Sequence, residues 1–118
     1  MNNETIKTII EWHEKTFPDA TLEGQKAKFQ EEFQEWSESH RIHELADMFI
    51  VACGVARFDS IVALEYFYIC FRLLKKFQVV ASMYVLQQVV NDKMIKNRKR
   101  IWNKTGNGTY HHENGIED

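Results

Sequence analysis

Hydrophobic and polar residues alternate along most of the chain with the three-to-four-residue period of amphipathic helices. Pro18 is the single proline, and only two glycines precede the glycine-containing stretch at residues 105–108. Proline and glycine are the residues that most often interrupt a helix. The pattern therefore predicts an all-α fold, a bundle of about five helices followed by an irregular C-terminal tail.

The period and its interruptions set the expected limits of these helices. The polar pairs and turn residues at 17–19, 40–42 and 59–60 separate the periodic segments, and Asp59 offers a cap for the fourth. The five helices are expected at about Asn3 to Lys15, Thr21 to Ser39, His43 to Arg57, Ile61 to Lys76 and Val79 to Trp102. On this basis residues 1–103 form one helical domain and residues 104–118 a polar tail.

The inward faces of these helices can also be predicted. In the first helix, the inner stripe is expected to contain Ile6, Ile9, Ile10 and His13. The fourth helix is apolar on most of its circumference, which is more than one small domain needs to cover. We therefore expect a homo-oligomer, either a homodimer or a homotetramer.

Composition narrows the class of protein. The 118 residues, 44% of them hydrophobic, suit one compact domain, and a net charge of -2 argues against a protein that coats a nucleic acid polymer. No apolar run is long enough to cross a membrane, and the first residues lack the apolar core of an export signal. A cytoplasmic protein is expected, with Cys53 and Cys70 as buried free thiols.

Carboxylates border the apolar face of the second helix. At roughly 100° per residue, Phe29, Phe33 and Trp36 share one face, and Glu32 and Glu35 lie at its edge. A lone pair of glutamates at this spacing is usually solvated. The third helix changes that interpretation.

Glu44 and Asp47 stand in a third helix that is otherwise apolar on every side, where a carboxylate is costly unless a positive group meets it. The short link makes the second and third helices antiparallel, so Glu35 should lie level with Glu44, and Glu32 with Asp47. Four converging carboxylates repel one another unless a proton or a cation is present. All-oxygen ligands favour Mg²⁺, and after it Mn²⁺, over zinc.

These acidic residues also allow two other interpretations. They could be ordinary solvated charges, or they could belong to a di-iron carboxylate bundle. The di-iron site needs Glu-x-x-His pairs that face inward, and no glutamate in this chain has a histidine three residues later. Mg²⁺ remains the favoured ligand.

Basic residues recur on one face towards the end of the fifth helix. Lys93, Asn97, Arg100 and Lys104 are spaced at i, i+4, i+7 and i+11. They could complement the helix macrodipole, but beside a carboxylate-bound metal we expect them to contact phosphate. Lys28, on the polar stripe of the second helix, is a further substrate-binding candidate.

Aromatic and histidine residues were also considered as site residues. Trp12, Phe29 and Trp102 could stack on a base, but aromatics at helical spacing are usually core. His111 and His112 in the tail are expected to be solvated rather than to bind metal.

The acidic motifs resemble a known family. Glu31-Glu32-x-x-Glu35 followed by Glu44-x-x-Asp47 is similar to the signature of the MazG-like all-α nucleoside triphosphate pyrophosphohydrolases. The segments TFPDAT, ELADMFIVACGVARFD and KMIKNRKRIW, with the following GNGTYHH, also resemble small phage-type and integron-type members. The resemblance covers most of the chain and is weakest in the fourth helix.

The resemblance implies hydrolysis of a nucleoside triphosphate, and of a deoxynucleotide in particular, to the monophosphate and pyrophosphate. It implies that the four carboxylates bind Mg²⁺, that Glu32 or Glu35 also orients the attacking water, and that Glu31 assists nearby. Lys93, Asn97 and Arg100 would contact the phosphates.

Two alternative functions remain open at this point. One is a helical interaction module without catalytic activity, and the other is a pyrophosphohydrolase that acts on a phosphoribosyl nucleotide such as phosphoribosyl-ATP. Only eight residues separate Glu35 from Glu44, which is short for the family, so the preferred base and sugar stay open.

Overall fold

The computed structural model describes residues 3–77, 82–106 and 109–112 and confirms the all-α fold. The described residues form five helices and one short hairpin. These elements are α1 (Ile6–Thr16), α2 (Leu22–Ser39), α3 (Ile42–Ala56), α4 (Ser60–Phe77), α5 (Ser82–Lys99), β1 (Trp102–Gly106) and β2 (Thr109–His112).

Side-chain caps explain where several helices begin. Thr5 and Thr8 form a capping box at the start of α1, so α1 begins three residues later than the sequence pattern suggested. The Thr21 hydroxyl accepts a hydrogen bond from Gly24 N at 3.0 Å, and Asp59 Oδ1 accepts from Ile61 N at 3.0 Å. These contacts satisfy backbone N–H groups that lack a partner within the first helical turn.

A two-residue link joins α2 to α3. His40 takes the left-handed conformation, with φ 54°, and its backbone N–H donates to Trp36 O at 2.7 Å. This residue closes α2, and α3 begins at Ile42. The tight turn returns the chain antiparallel to α2.

The centre of the bundle is α3, which contacts each of the other four helices. Its buried residues span its whole length, as the apolar pattern of this segment predicted. They are Leu45, Ala46, Met48, Ile50, Ala52, Cys53, Gly54 and Val55. Cys53 and Cys70 are both buried free thiols, as expected.

Two residues expected on inner faces are partly exposed. Ile6 is 40% exposed and Phe33 is 37% exposed, whereas Ile9, Phe29 and Trp36 are buried. Ile6 is in the first turn of α1, and the Phe33 ring stacks on Trp36 with 6.2 Å between centroids. The predicted periodicity was right, but the core covers a narrower part of each helix.

The C-terminal region differs most from expectation. The last helix ends at Lys99 rather than at Trp102, and the segments Trp102–Gly106 and Thr109–His112 pair as antiparallel strands, with Lys104 opposite Tyr110. The expected boundary at residues 103/104 falls inside β1. The expected start of helix five at Val79 and the tail beyond residue 112 lie outside the described residues.

Aromatic packing accounts for this hairpin. The Trp102 ring packs edge-on against Phe17, with 5.0 Å between centroids, and the Tyr110 ring lies 4.7 Å from the same phenyl ring. Trp102 Nε1 also donates to Asn97 O at 3.1 Å, at the end of α5. The hairpin thereby covers the junction between α1 and α2.

Within the part of the chain that the structure describes, none of the helices combines the length and the apolar character that crossing a membrane requires.

Candidate metal centre

Three glutamates converge where α2 faces α3. Carboxylate oxygens of Glu32, Glu35 and Glu44 all lie within 4.8 Å of one another. We call these three residues the acidic cluster. Glu32 and Glu35 are on neighbouring turns of α2, and Glu44 is in the first turn of α3, so the antiparallel hairpin brings Glu35 and Glu44 together as the sequence predicted.

Glu32 is the most enclosed member of the acidic cluster. Its side chain is 12% exposed, and Lys28 Nζ, on the same helix, lies 3.9 Å from Glu32 Oε1. The other oxygen, Oε2, is buried, and no hydrogen-bond donor among the described residues reaches it. A buried carboxylate oxygen without a donor is costly, so a cation at this position would stabilise it.

The surroundings of Glu32 favour its protonated form. Burial, followed by the carboxyl–carboxyl contact with Glu35 and the charge of Asp47, raises the pKa of Glu32 to about 9, while Lys28 opposes this shift. Raised carboxyl pKa values of this kind arise where negative groups share an enclosed space. In the absence of a cation, Glu32 is therefore neutral at pH 7.

Asp47 lies beside the acidic cluster with a partner of its own. Its Oδ2 accepts a hydrogen bond from Lys93 Nζ at 3.2 Å, and the side chains of Asp47 and Lys93 are 21% and 5% exposed. Among the described residues, Asp47 does not belong to the group of three with mutually close oxygens. The negative charge of Asp47 nevertheless helps to raise the pKa of Glu32, as expected if the two residues lie at the same level on facing helices.

The residues of the predicted basic face of helix five do not form one continuous helical face in the structure. Arg100 Nη1 donates to Asn97 Oδ1 at 2.8 Å, and Asn97 is 7% exposed. The guanidinium of Arg100 lies 6.0 Å from the centre of the Trp102 ring. Lys104 is in β1 and pairs with Asp19 at 3.2 Å, so its placement on the same helical face was wrong.

A second polar assembly lies deeper in the bundle and was not predicted from the sequence. His13 Nε2 contacts Gln25 Oε1 at 3.1 Å, and His13 Nδ1 contacts Arg57 Nη1 at 3.1 Å. Arg57 Nη1 also donates to Phe17 O at 2.7 Å. We call His13, Gln25 and Arg57 the buried polar group. The signal available in the sequence was a histidine on the inner stripe of the first helix.

The protonation of His13 follows from its partners. Arginine is a donor only, so Nδ1 must accept and the ring proton must be on Nε2, where it is donated to Gln25. Burial lowers the pKa of His13 to about 4; the Gln25 hydrogen bond opposes this shift and the charge of Arg57 adds to it. His13 is therefore neutral near pH 7.

The remaining candidate residues lie in the core, on the surface of α2 or in the hairpin. Trp12 and Phe29 are core residues, as the helical spacing of aromatics favoured, and Trp102 is half-buried in the packing described above. Glu31 is exposed on α2. The backbone of His111 and His112 forms part of β2, but their side chains lie outside the described residues.

The chemistry of the acidic cluster suits a hard divalent cation. All the available donors are carboxylate oxygens, which Mg²⁺ and Mn²⁺ accept readily, while zinc prefers nitrogen and sulfur ligands. The buried Oε2 of Glu32, which lacks a donor, is the kind of atom that a bound cation would satisfy. The residues therefore fit a magnesium site.

Comparison of the chain with models of protein families, with characterised proteins and with solved structures gives no match in any of the three.

Proposed function

We propose that the protein is a Mg²⁺-dependent hydrolase that converts a nucleoside triphosphate, a deoxynucleotide in particular, to the monophosphate and pyrophosphate. The observation that carries this proposal is the convergence of Glu32, Glu35 and Glu44, with oxygens within 4.8 Å of one another, together with a buried oxygen of Glu32 that no donor among the described residues reaches. The resemblance of the same residues to the MazG-like signature supports the choice of reaction.

In this proposal the acidic cluster holds the metal and Asp47 lies at its margin. When bound, Mg²⁺ would offset the charge of the triphosphate and lower the pKa of a bound water. Mn²⁺ could replace it, because both ions accept carboxylate oxygens. Neutralisation of the acidic cluster by the cation would also release the proton that Glu32 otherwise holds.

Individual side chains have separate roles in the proposed reaction. Glu35 is exposed and next to Glu32, so its carboxylate is suited to accept a proton from the attacking water. The half-buried Lys28 and Arg100 are suited to contact phosphate oxygens. Lys93 is only 5% exposed and donates to Asp47, which favours a role in holding Asp47 over direct phosphate contact.

Product analysis tests the proposed reaction. The common nucleoside and deoxynucleoside triphosphates would be incubated with Mg²⁺ and separated by chromatography. The parent is expected to yield monophosphate and pyrophosphate, and Glu35→Gln to lose at least about 100-fold in rate. The matched control is Glu38→Gln, an exposed glutamate on the same helix. Diphosphate and orthophosphate as products would contradict the proposal.

The same screen separates the alternatives. A non-catalytic interaction module would release no pyrophosphate under any condition. An enzyme for a phosphoribosyl nucleotide would turn over phosphoribosyl-ATP much faster than any common triphosphate. The proposed enzyme would turn over a common triphosphate much faster than phosphoribosyl-ATP.

We also propose that the protein is a cytoplasmic homo-oligomer, a dimer or a tetramer. The supporting observation is an apolar stripe on α4, where Ile61, Leu64 and Tyr68 are 71%, 62% and 61% exposed. Phe71 continues this stripe three residues later. Adjacent exposed apolar residues on one helix face are typical of a protein–protein contact. A second copy of the chain would cover them in an isologous interface.

A further inference from the structure

We propose that the buried polar group of His13, Gln25 and Arg57 is a positioning element, which fixes the lengthwise placement of α2 against α3 and thereby sets the separation of the carboxylates in the acidic cluster. This inference rests on the proposed metal site. It assigns a role to three residues that contact neither the metal nor the substrate in that proposal.

The buried polar group lies directly against the backbone of α3. At Gly54, an added Cβ would lie 2.7 Å from Gln25 Oε1 and 2.8 Å from His13 Nε2, whereas ordinary contacts begin at 3.4 Å. Glycine therefore allows an approach that an added Cβ would permit only if the Gln25 and His13 side chains moved. Gln25 and Gly54 therefore form a close contact, and this contact fixes one position along α2 relative to one position along α3.

Glu32, in the acidic cluster, and Asp47, beside it, have a fixed offset from this contact. Glu32 is seven residues after Gln25 on α2, and Asp47 is seven residues before Gly54 on α3. Each offset is about 10.5 Å along its helix axis at 1.5 Å per residue. Because the helices are antiparallel, a contact that holds Gln25 level with Gly54 also holds Glu32 level with Asp47.

Such a restraint is needed because the carboxylates repel one another. Apolar packing alone tolerates small sliding movements, but hydrogen bonds are directional and weaken steeply when they are misaligned. A metal site requires its ligands to be held to within about 0.5 Å. Arg57 strengthens the restraint, since it contacts His13 and Phe17 O and so joins α3 to the end of α1.

Substitutions in the contact provide the test. Gly54→Ala places a methyl group where Gln25 and His13 now lie, and Gln25→Met removes the acceptor for His13 Nε2 while keeping the side-chain length. The matched control is Phe67→Leu, a core residue of α4 that is 8% exposed and outside the buried polar group. Mg²⁺ affinity would be measured by titration calorimetry at a temperature where circular dichroism shows all four proteins folded.

We expect the dissociation constant for Mg²⁺ to rise about tenfold or more in Gly54→Ala and Gln25→Met, in line with the effect of residues that orient ligands from outside the site. The control should stay within about twofold of the parent. Unchanged Mg²⁺ affinity in both test variants would overturn this inference but not the proposed metal site. A parent that binds no Mg²⁺ would overturn the proposed metal site, and this inference with it.

A measurement on the parent decides the question if the variants do not fold. Coupling is reciprocal, so Mg²⁺ should stabilise the buried polar group as much as that group assists Mg²⁺ binding. Exchange of the His13 Nε2 proton, followed by NMR, should slow at least about fivefold more on addition of Mg²⁺ than exchange of the buried Cys70 amide in α4. Equal slowing of both protons would contradict a positioning role.

Discussion

The Nζ atom of Lys93 lies 3.2 Å from Oδ2 of Asp47 and joins α5 to α3 beside the acidic cluster. Among the described residues, Glu32 has no cation as close: Lys28 Nζ is 3.9 Å from one of its oxygens, and no hydrogen-bond donor reaches the other. Asp47 is therefore stabilised within the chain itself, while Glu32 depends on a proton or a cation. The free energy of unfolding should therefore change in opposite directions when Glu32 and Asp47 are each replaced by the corresponding amide.

Glu32→Gln should stabilise the metal-free protein. Glu32 must take up a proton on folding at pH 7, because its pKa is raised from 4.5 to about 9, and the amide has no such requirement. We expect a gain on the order of 1–3 kcal/mol in the free energy of unfolding. Urea unfolding at pH 7 with a chelator measures it, and Glu38→Gln is the control. A clear loss of stability would show that the Glu32 carboxyl makes a structural contact.

Asp47→Asn should destabilise the metal-free protein instead. The substitution leaves the buried ammonium of Lys93 without its carboxylate, and such a loss costs about 1–3 kcal/mol. Repulsion among the four carboxylates would by itself favour the amide at Asp47, but the contact with Lys93 reverses that effect. The same urea experiment measures it. A double variant with Lys93→Met should recover most of the loss.

Mg²⁺ binding should strengthen as the pH rises from 6 to 9. The cation competes with the proton that Glu32 holds up to a pKa of about 9, so each ion bound should release up to one proton. Affinity should increase by up to about tenfold per pH unit in the parent and much less in Glu32→Gln. The chelated parent should show the opposite trend, because stability from a raised pKa is lost as the pH rises from 4.5 towards 9. Calorimetry and thermal melts across this range test both trends.

Acid should weaken the fold through His13. Its pKa is lowered from 6.5 to about 4, so the stability that neutral His13 contributes is present above pH 6.5 and is lost as the pH falls towards 4. The loss should amount to about 2–3 kcal/mol. His13→Gln should remove this part of the pH dependence. Urea unfolding of both proteins between pH 4 and pH 7 provides the comparison, and parallel curves would contradict the assignment.

Leu64→Asp should dissociate the proposed oligomer. The substitution places a charge in the middle of the exposed stripe on α4, where Leu64 is 62% exposed, so it should not disturb the core. Sedimentation at micromolar concentration should show the parent as a dimer or tetramer and the variant as a monomer. Gln30→Asp, at an exposed position of α2, is the control for the added charge. A monomeric parent would contradict the proposal.

The sequence predicted those parts of the structure that depend on helical periodicity and on residues that cap helices or form tight turns. The caps at Thr21 and Asp59 and the short link before Ile42 define α2, α3 and α4 to within a residue or two of the expected limits. The antiparallel link also predicted that Glu35 and Glu44 lie near each other, because residues equally far from a tight turn lie at about the same level, and the structure places their oxygens within 4.8 Å of each other.

Tertiary contacts determine what the sequence did not predict. The hairpin at residues 102–112 has an Asn-Gly pair between its strands, a strong local signal for a turn, but its aromatic packing on Phe17 joins residues far apart in the chain. The partner of Lys93 is similarly distant, on another helix. A helical projection gives the direction of a side chain and not the group that it meets.

The two-residue link at His40 and Arg41 also bears on the order of folding. Because α2 and α3 are joined so directly, the carboxylates from Glu32 to Asp47 lie within sixteen consecutive residues. The contacts among them are local in sequence, so we expect their mutual repulsion to arise when this helical hairpin forms. A cation that binds the acidic cluster should then increase the rate of folding as well as the final stability.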